Sequence, residues 1–328
     1  MTRGATPETT PQAWASSGGG VRAALGRRAP PQPGRSARHG NREGWVLIAP
    51  AMLLLVAITA FPAIYLLQAS FFDFTLLGDS RDFVAFDNYL EVISSSSLRS
   101  SIVKMVGFVV AVVALELAIG LVLAVGLAKR TWFNQVASTM LLLPLAITPA
   151  VSALVFRQLL NPNFGWVDHY LRALGIMDRP LEWLSHPVTA WMSIIGLDVW
   201  QWTAFVALIL MAGLQAMPRE PYEAAVVDGA SDLQIFRFVT LPMLRPFIGI
   251  AVVLRVIQAF KTFDSFKVLT DGGPTDSTEI VNLVIHRIAL QSFRIGDAAA
   301  LGIVLLIIVS ALAPLVLRLL GSNEGVAR

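Results

Sequence analysis

The sequence predicts an all-α, polytopic membrane protein with six transmembrane helices. Of its 328 residues, 55% are hydrophobic and only 14% are charged, whereas soluble domains average about 25% charged residues. Six apolar runs each approach or exceed the roughly 20 residues that a helix needs to cross the hydrocarbon core of a bilayer. An open strand would leave its backbone groups unpaired in lipid, so each run is predicted to be a helix.

The predicted spans divide the chain into a basic tail, a membrane domain and a short C-terminus. Residues 1–43 are rich in Pro, Gly, Ser, Ala and Arg, a composition that predicts a disordered cytoplasmic tail. The membrane domain is predicted to cover residues 44–322, and residues 323–328 form a cytoplasmic C-terminus. The spans are predicted at about 45–69, 102–128, 136–156, 188–214, 247–269 and 298–320. The first run is too long for a signal peptide, so we expect it to be retained.

Lysine and arginine are distributed unevenly between the two sides of the predicted bundle, and cytoplasmic loops normally carry the excess. The first outer loop is acidic. The basic residues assigned to the cytoplasmic side are Arg3, Arg22, Arg27, Arg28, Arg35, Arg38, Arg42, Lys129, Arg130, Arg219, Arg237, Arg245, Arg318 and Arg328. Both termini are therefore predicted to lie in the cytoplasm.

Several classes of function lack their sequence signatures. The chain has no cysteine, and its four histidines do not show the spacing of metal ligands. It lacks the G-x-x-x-x-G-K-[ST] phosphate loop and the G-x-S-x-G nucleophile motif. No basic face is interleaved with aromatic residues, as nucleic-acid binding requires. We expect no metal, cofactor, nucleic-acid partner or enzymatic activity, and membrane lipid as the solvent.

One polar segment, EAAVVDGASDLQIFRFVTLPMLRP, lies between the fourth and fifth predicted spans, from Glu223 to Pro246. The stretch YEAAVV favours a helix, and its acidic first turn suits the helix dipole, while Gly229 permits a tight turn. Ser231 is placed to cap a second short helix, which Pro242 and Pro246 are predicted to end. The pattern predicts a cytoplasmic helix-turn-helix, and a loop that merely connects two spans is the alternative.

The spacing in this segment resembles the EAA loop of the membrane subunits of binding-protein-dependent ABC importers. The matching positions are Glu223, Ala224, Ala225, Asp228, Gly229, Ala230, Phe236, Leu241, Pro242 and Pro246. A second segment, LTDGGPTDSTE, is similar to the TxGGP segment of maltose and glycerol-3-phosphate type permeases, and Ser277 or Thr278 in it is placed to cap a following helix. The likeness covers roughly residues 45–320. It implies the type I ABC importer permease fold, with the EAA loop at residues 217–246.

By this resemblance, the chain is one of two different permease subunits that form a pathway for a carbohydrate-class solute in the bacterial inner membrane. The solute would be a sugar, oligosaccharide, polyol or glycerol phosphate, delivered by an extracytoplasmic solute-binding protein. Two cytoplasmic ATPase subunits would drive transport. The residues implied in ATPase coupling are Glu223, Ala224, Ala225, Asp228, Gly229, Ala230, Phe236 and Pro242. A self-sufficient secondary transporter or channel is the alternative; it would favour internal repeats, and no clear repeat is visible.

Polar residues inside the fourth and fifth spans are candidates for the solute pathway, because charge is costly at the centre of a bilayer. In the fourth span they share one helix face with aromatic rings, a combination that suits a sugar, and this stretch resembles the sugar-lining part of maltose-type permeases. The candidates are Asp198, Gln201, Trp202, Phe205, Gln258, Lys261, Thr262 and Asp264.

Structural roles for these polar residues remain open as alternatives. Asp198 would then only pack helices, and Lys261 and Asp264 would form a salt bridge. Glu116, alone in the second span, is interpreted as a helix-packing or gating residue. Arg255 or Lys261 would also fit an anionic solute such as a sugar phosphate or sulfonate.

Overall fold

The structure, a computed structural model, describes residues 37–78, 81–129 and 131–319. The predicted tail lies outside the described residues as far as residue 36, and so does the segment 323–328. Residues 37–43, predicted to be disordered, are helical. The chain separates into two units, residues 1–59 and 60–328. In the first unit, all residues from 45 to 59 are exposed and helical, so their apolar side chains require lipid or another chain to cover them.

The described chain is almost entirely helical. Helix α1 (Ala37–Ala69) is followed by a small antiparallel sheet of β1 (Phe72–Phe74) and β2 (Arg81–Phe83). Next come α2 (Asp87–Ser94), α3 (Ser96–Leu127), α4 (Trp132–Leu141), α5 (Leu143–Ala146), α6 (Pro149–Leu159), α7 (Trp166–Ala173) and α8 (Pro187–Ala216). The last elements are α9 (Glu220–Val227), α10 (Asp232–Ile235), a π-helical turn (Phe236–Thr240), α11 (Leu241–Phe260), α12 (Asp264–Leu269), α13 (Val281–Leu290) and α14 (Ile295–Leu319). The predicted all-α class is confirmed.

Within the described ranges, five helical segments are long and apolar enough to cross a membrane, and a bent pair makes a sixth if it counts as one span. The five are Trp45–Ala69, Ser96–Leu127, Pro187–Ala216, Asp232–Phe260 and Ile295–Leu312. The predicted third span is broken, because Trp132–Ala146 and Pro149–Leu159 meet at 96°. Thr148 is extended, as a residue before proline tends to be, and Pro149 then starts the next helix.

The fifth span begins earlier than predicted, because the prolines of the polar segment do not end the helix. Helix α10, the π-helical turn and α11 continue from Asp232 to Phe260 as one span. In the π-helical turn, the N–H of Leu241 reaches back to the carbonyl of Phe236. Pro242 falls in the first turn of α11, where its missing N–H is tolerated, and membrane helices accommodate an internal proline such as Pro246.

The membrane domain is organised around α3 and α8, which form the most extensive helix pair, with α11 packed against both. One apolar cluster includes Phe108 and Phe266, whose rings meet edge to face at 4.9 Å. A second cluster, which includes Leu210 and Leu244, lies where α8 meets α11. These contacts join the elements that carry the candidate pathway residues.

Helices α8 and α11 approach each other closely at Gly213. A Cβ atom at this position would lie 2.5 Å from Cγ of Phe247, so we expect Gly213→Ala to destabilise the folded chain by about 1–3 kcal/mol, as overpacking usually does. Gly196→Ala, in the same helix, is the matched control, because its Cβ would meet no described atom within 4 Å. Apparent melting temperatures of the purified protein compare the two; equal values would contradict the close approach.

Candidate functional site

Three charged side chains from three different helices meet inside the membrane domain. Arg255 of α11 donates from Nε to Oε2 of Glu116 on α3 at 2.5 Å and from Nη2 to Oε1 at 2.8 Å. Its Nη2 also donates to Oδ2 of Asp198 on α8. The three side chains are at most 2% exposed. A charge in such an environment is stable only when it is paired, and here one cation lies between two anions.

Trp202 covers this charged cluster from the side of α8. The centroid of its ring lies 5.0 Å from Cζ of Arg255, which is the geometry of a cation–π contact. Asp198 and Trp202 are four residues apart and therefore lie on one face of α8. The helix thus presents a carboxylate beside an aromatic ring, as the residue spacing predicts.

A cavity of about 130 Å³ lies beside the cluster. Six of the eight predicted pathway residues line it: Asp198, Trp202, Gln258, Lys261, Thr262 and Asp264. Its other lining residues are Ser265, which recurs at helical spacing with Gln258 and Thr262 in the predicted fifth span, and Pro149 and Phe263, which the sequence reasoning missed. They come from breaks between helices, and hydropathy does not show how such breaks are placed.

The break between α11 and α12 presents Lys261 and Thr262 to the cavity. Asn282 of α13 donates from Nδ2 to the carbonyl oxygens of Phe260, at 2.9 Å, and of Thr262, at 2.8 Å. These bonds satisfy carbonyls that a helix end leaves without donors. The salt bridge between Lys261 and Asp264 is not formed among the described residues, because the chain between them leaves the helix and loses the i, i+3 geometry.

Gln201 and Phe205 lie on α8 with the lining residues Asp198 and Trp202, but they are absent from the cavity lining in the described structure. Gln201 is buried and donates from Nε2 to the carbonyl oxygen of Ile147 at 2.7 Å. Ile147 is extended and lies at the break of the third span, so Gln201 holds the broken span against α8. Phe205 packs edge-on against Trp202, with 6.3 Å between ring centroids.

The predicted helix-turn-helix is present as α9, a turn and α10. Gly229 has a φ of +76°, a left-handed conformation that favours glycine. The side chain of Gln234 accepts a hydrogen bond at 2.8 Å from the N–H of Ser231, which closes the start of α10 in the manner of a capping box. No residue of α9 is buried. The segment therefore protrudes as an exposed knob.

A groove of about 330 Å³ runs along this knob. Four predicted coupling residues line it, together with residues of α10 and the π-helical turn: Ala225, Asp228, Gly229, Ala230, Gln234, Ile235, Phe238 and Val239. Glu223 and Ala224 are exposed on α9, whereas Phe236 and Pro242 are half-buried. Exposed Phe238 was missed by the sequence reasoning, although its position beside Phe236 is a visible signal.

The LTDGGPTDSTE segment forms a braced loop between α12 and α13. Thr278 donates from Oγ1 to the carbonyl oxygen of Gly273 at 2.7 Å. Lys104 of α3 donates to the carbonyl oxygen of Asp276 at 2.6 Å, and Trp191 of α8 donates to that of Ser277 at 3.1 Å. Helix α13 starts at Val281 and not directly after Ser277 or Thr278, because Thr278 bonds within the loop instead of capping the helix.

A family model and two relatives of this chain all belong to transport systems. Residues 116–323 match the family described as "Binding-protein-dependent transport system inner membrane component". The chain is 35% identical over 273 residues to the probable ABC transporter permease protein y4oQ of Sinorhizobium fredii, covering 82% of this chain and 87% of the relative. It is 34% identical over 254 residues to the trehalose/maltose transport system permease protein MalF of Thermococcus litoralis, covering 77% and 84%.

A solved structure shares the fold. The bacterial alginate ABC transporter in complex with alginate pentasaccharide-bound periplasmic protein contains a chain that superposes with a TM-score of 0.76 and 21% identity. The match covers 89% of this chain and 100% of that one. The two chains therefore have the same arrangement of helices.

Proposed function

Because this chain belongs to the inner membrane components of binding-protein-dependent transport systems, and is thus an ABC transporter permease, we propose that it lines the pathway for a sugar or oligosaccharide. The observation that carries the proposal is the cavity beside Trp202, which combines an aromatic ring with carboxylate, amide and hydroxyl groups. Sugars present hydroxyls that need hydrogen-bond partners and C–H faces that pack on rings. The relative named for trehalose/maltose transport supports this class. Family membership favours the importer over a self-sufficient secondary transporter.

Transport by this route requires partners. A second, different permease subunit completes the pathway, and an extracytoplasmic solute-binding protein delivers the sugar. Of two cytoplasmic ATPase subunits, one binds the knob formed by α9 and α10. The chain contains no phosphate-binding loop, so ATP hydrolysis belongs to the ATPase subunits and this subunit is not an enzyme. We propose that both termini lie in the cytoplasm, which the excess of basic residues on that predicted side supports.

The structure offers a direct mechanical connection for coupling. Val226 and Leu233 on the knob and Phe238 on the adjoining π-helical turn are exposed apolar side chains, and docking would cover them. Glu223 offers its carboxylate to a basic group of the ATPase. Helix α10 continues through the π-helical turn into α11 as one span, so a rigid-body displacement of the docked knob moves Arg255 and the cavity wall.

Replacement of Trp202 tests the sugar site. We expect Trp202→Ala to lower uptake roughly tenfold, the effect of losing about 1.4 kcal/mol of binding, because the ring lines the cavity and covers Arg255. Trp200→Ala is the matched control: Trp200 packs against Phe156 at 5.3 Å and is absent from the described lining.

Uptake is measured in proteoliposomes that contain the co-purified complex and its binding protein. The labelled sugar is chosen by first screening that binding protein against neutral and acidic sugars. Retention of the ATPase subunits is recorded for each variant. Similar uptake by the Trp202 and Trp200 variants would refute the assignment of the cavity as the sugar site.

A further inference from the structure

Arg255 carries a positive charge into the C-terminal half of α11, and its partners determine whether that charge acts on the cavity. Two of its nitrogens are bound by the carboxylates of Glu116 and Asp198, and one face of the guanidinium lies against Trp202. Asp198 also lines the cavity, whereas Glu116 and Arg255 are absent from its described lining. Asp198 therefore contacts both the cation and the space through which a solute would pass.

Acidic groups outnumber basic groups at the cavity. Asp198, Asp264 and Lys261 line it, and Arg255 and Glu116 lie directly behind Asp198. With all of these groups ionised, three carboxylates and two cations give a net formal charge of −1. In a low-dielectric wall such a charge acts over the whole cavity. An acidic sugar would meet repulsion, while a neutral or cationic sugar would not.

We propose, on the basis of the translocation pathway proposed above, that Asp198 is a specificity-determining residue that masks Arg255 and makes the pathway disfavour acidic sugars. The sequence alone left Arg255 open as a binder of an anionic solute. In the structure the guanidinium of Arg255 forms ion pairs with two carboxylates, those of Glu116 and Asp198. Without the Asp198 carboxylate, the guanidinium would be partly unmasked, and its Nη1, which has no hydrogen-bond partner in the described structure, would be available to an anion.

Charged thiol reagents measure this potential without knowledge of the transported sugar. The chain contains no cysteine, so Thr262→Cys places a single thiol on this subunit, at a lining position of the cavity. The co-purified complex in lipid nanodiscs is treated with methanethiosulfonates that carry either a trimethylammonium or a sulfonate group. Modification of this subunit is followed by mass spectrometry, and each rate is normalised to that of free 2-mercaptoethanol.

We expect the Thr262→Cys parent to react faster with the cationic reagent. Adding Asp198→Asn should shift the ratio of the two rates toward the anionic reagent by about tenfold, the effect of one unit charge at close range. Adding Arg255→Gln as well should restore the ratio of the parent. This double change separates charge from shape, because altered access would change the rates with both reagents in parallel.

Two results would overturn the inference. A parent that prefers the anionic reagent, or an Asp198→Asn variant with an unchanged ratio, would show that Asp198 does not mask Arg255 and would leave the proposed pathway intact. A thiol at position 262 that reacts with neither reagent would show that the cavity is closed to solutes. That outcome would remove the pathway proposal together with the inference.

Discussion

Arg255→Gln is expected to destabilise the membrane domain by about 3–5 kcal/mol, because it leaves charged groups buried without their partner. Glu116 and Asp198 lie at most 2% exposed around the guanidinium, and glutamine cannot neutralise them. The variant should therefore show a lower apparent melting temperature and a smaller folded fraction on size-exclusion chromatography in detergent. Arg157→Gln is the control, because Arg157 is exposed and its hydrogen bond goes to a neutral group, the carbonyl of Val268.

A neutral cluster distinguishes the loss of charge pairing from the loss of shape. The triple variant Glu116→Gln/Asp198→Asn/Arg255→Gln removes all three charges and keeps side chains of similar size. We expect it to regain most of the stability lost by Arg255→Gln, since no unpaired charge remains buried. A triple variant less stable than the single one would mean that Arg255 acts through its packing and not through its charge.

The sequence predicts the helices of this protein because lipid requires long apolar runs. Contacts between helices are harder to predict. Glu116 and Arg255 are 139 residues apart, so in the sequence each is an isolated polar residue within an apolar run. The structure shows that they share one buried cluster. The packing interpretation of Glu116 agrees with its contact with Arg255, and the gating interpretation stays a prediction.

Breaks in helices account for most differences between the predicted and observed site. Helical periodicity places Asp198, Gln201 and Trp202 on one face, yet Gln201 turns to the carbonyl of Ile147. That carbonyl lacks an intrahelical donor because the third span bends by 96°. The prediction that Pro242 ends the second short helix was also wrong, because a π-helical turn lets α10 continue into α11. Local propensity does not reveal such tertiary compensation.

Gly229→Asp is expected to remove the ATPase subunits from the purified complex and to abolish most ATP-driven uptake, while membrane insertion remains intact. A Cβ at Gly229 would meet no described atom within 4 Å, so the chain itself has room for a side chain. The left-handed φ of +76° adds a strain of only about 1–2 kcal/mol, and aspartate tolerates it better than most residues. The added carboxylate would instead occupy the groove where the ATPase is proposed to dock.

Two further variants separate strain from occlusion. Gly175→Asp introduces the same side chain at another glycine of positive φ, +71°, with open space around its Cβ among the described atoms, so it should retain the ATPase. Gly229→Asn keeps the size of aspartate without its charge, and loss of binding in both Gly229 variants would assign the effect to occupied space. Tandem affinity purification with quantification of the ATPase measures all three variants. Full retention of the ATPase by Gly229→Asp, with wild-type uptake, would contradict docking at this knob and leave the segment a connecting loop.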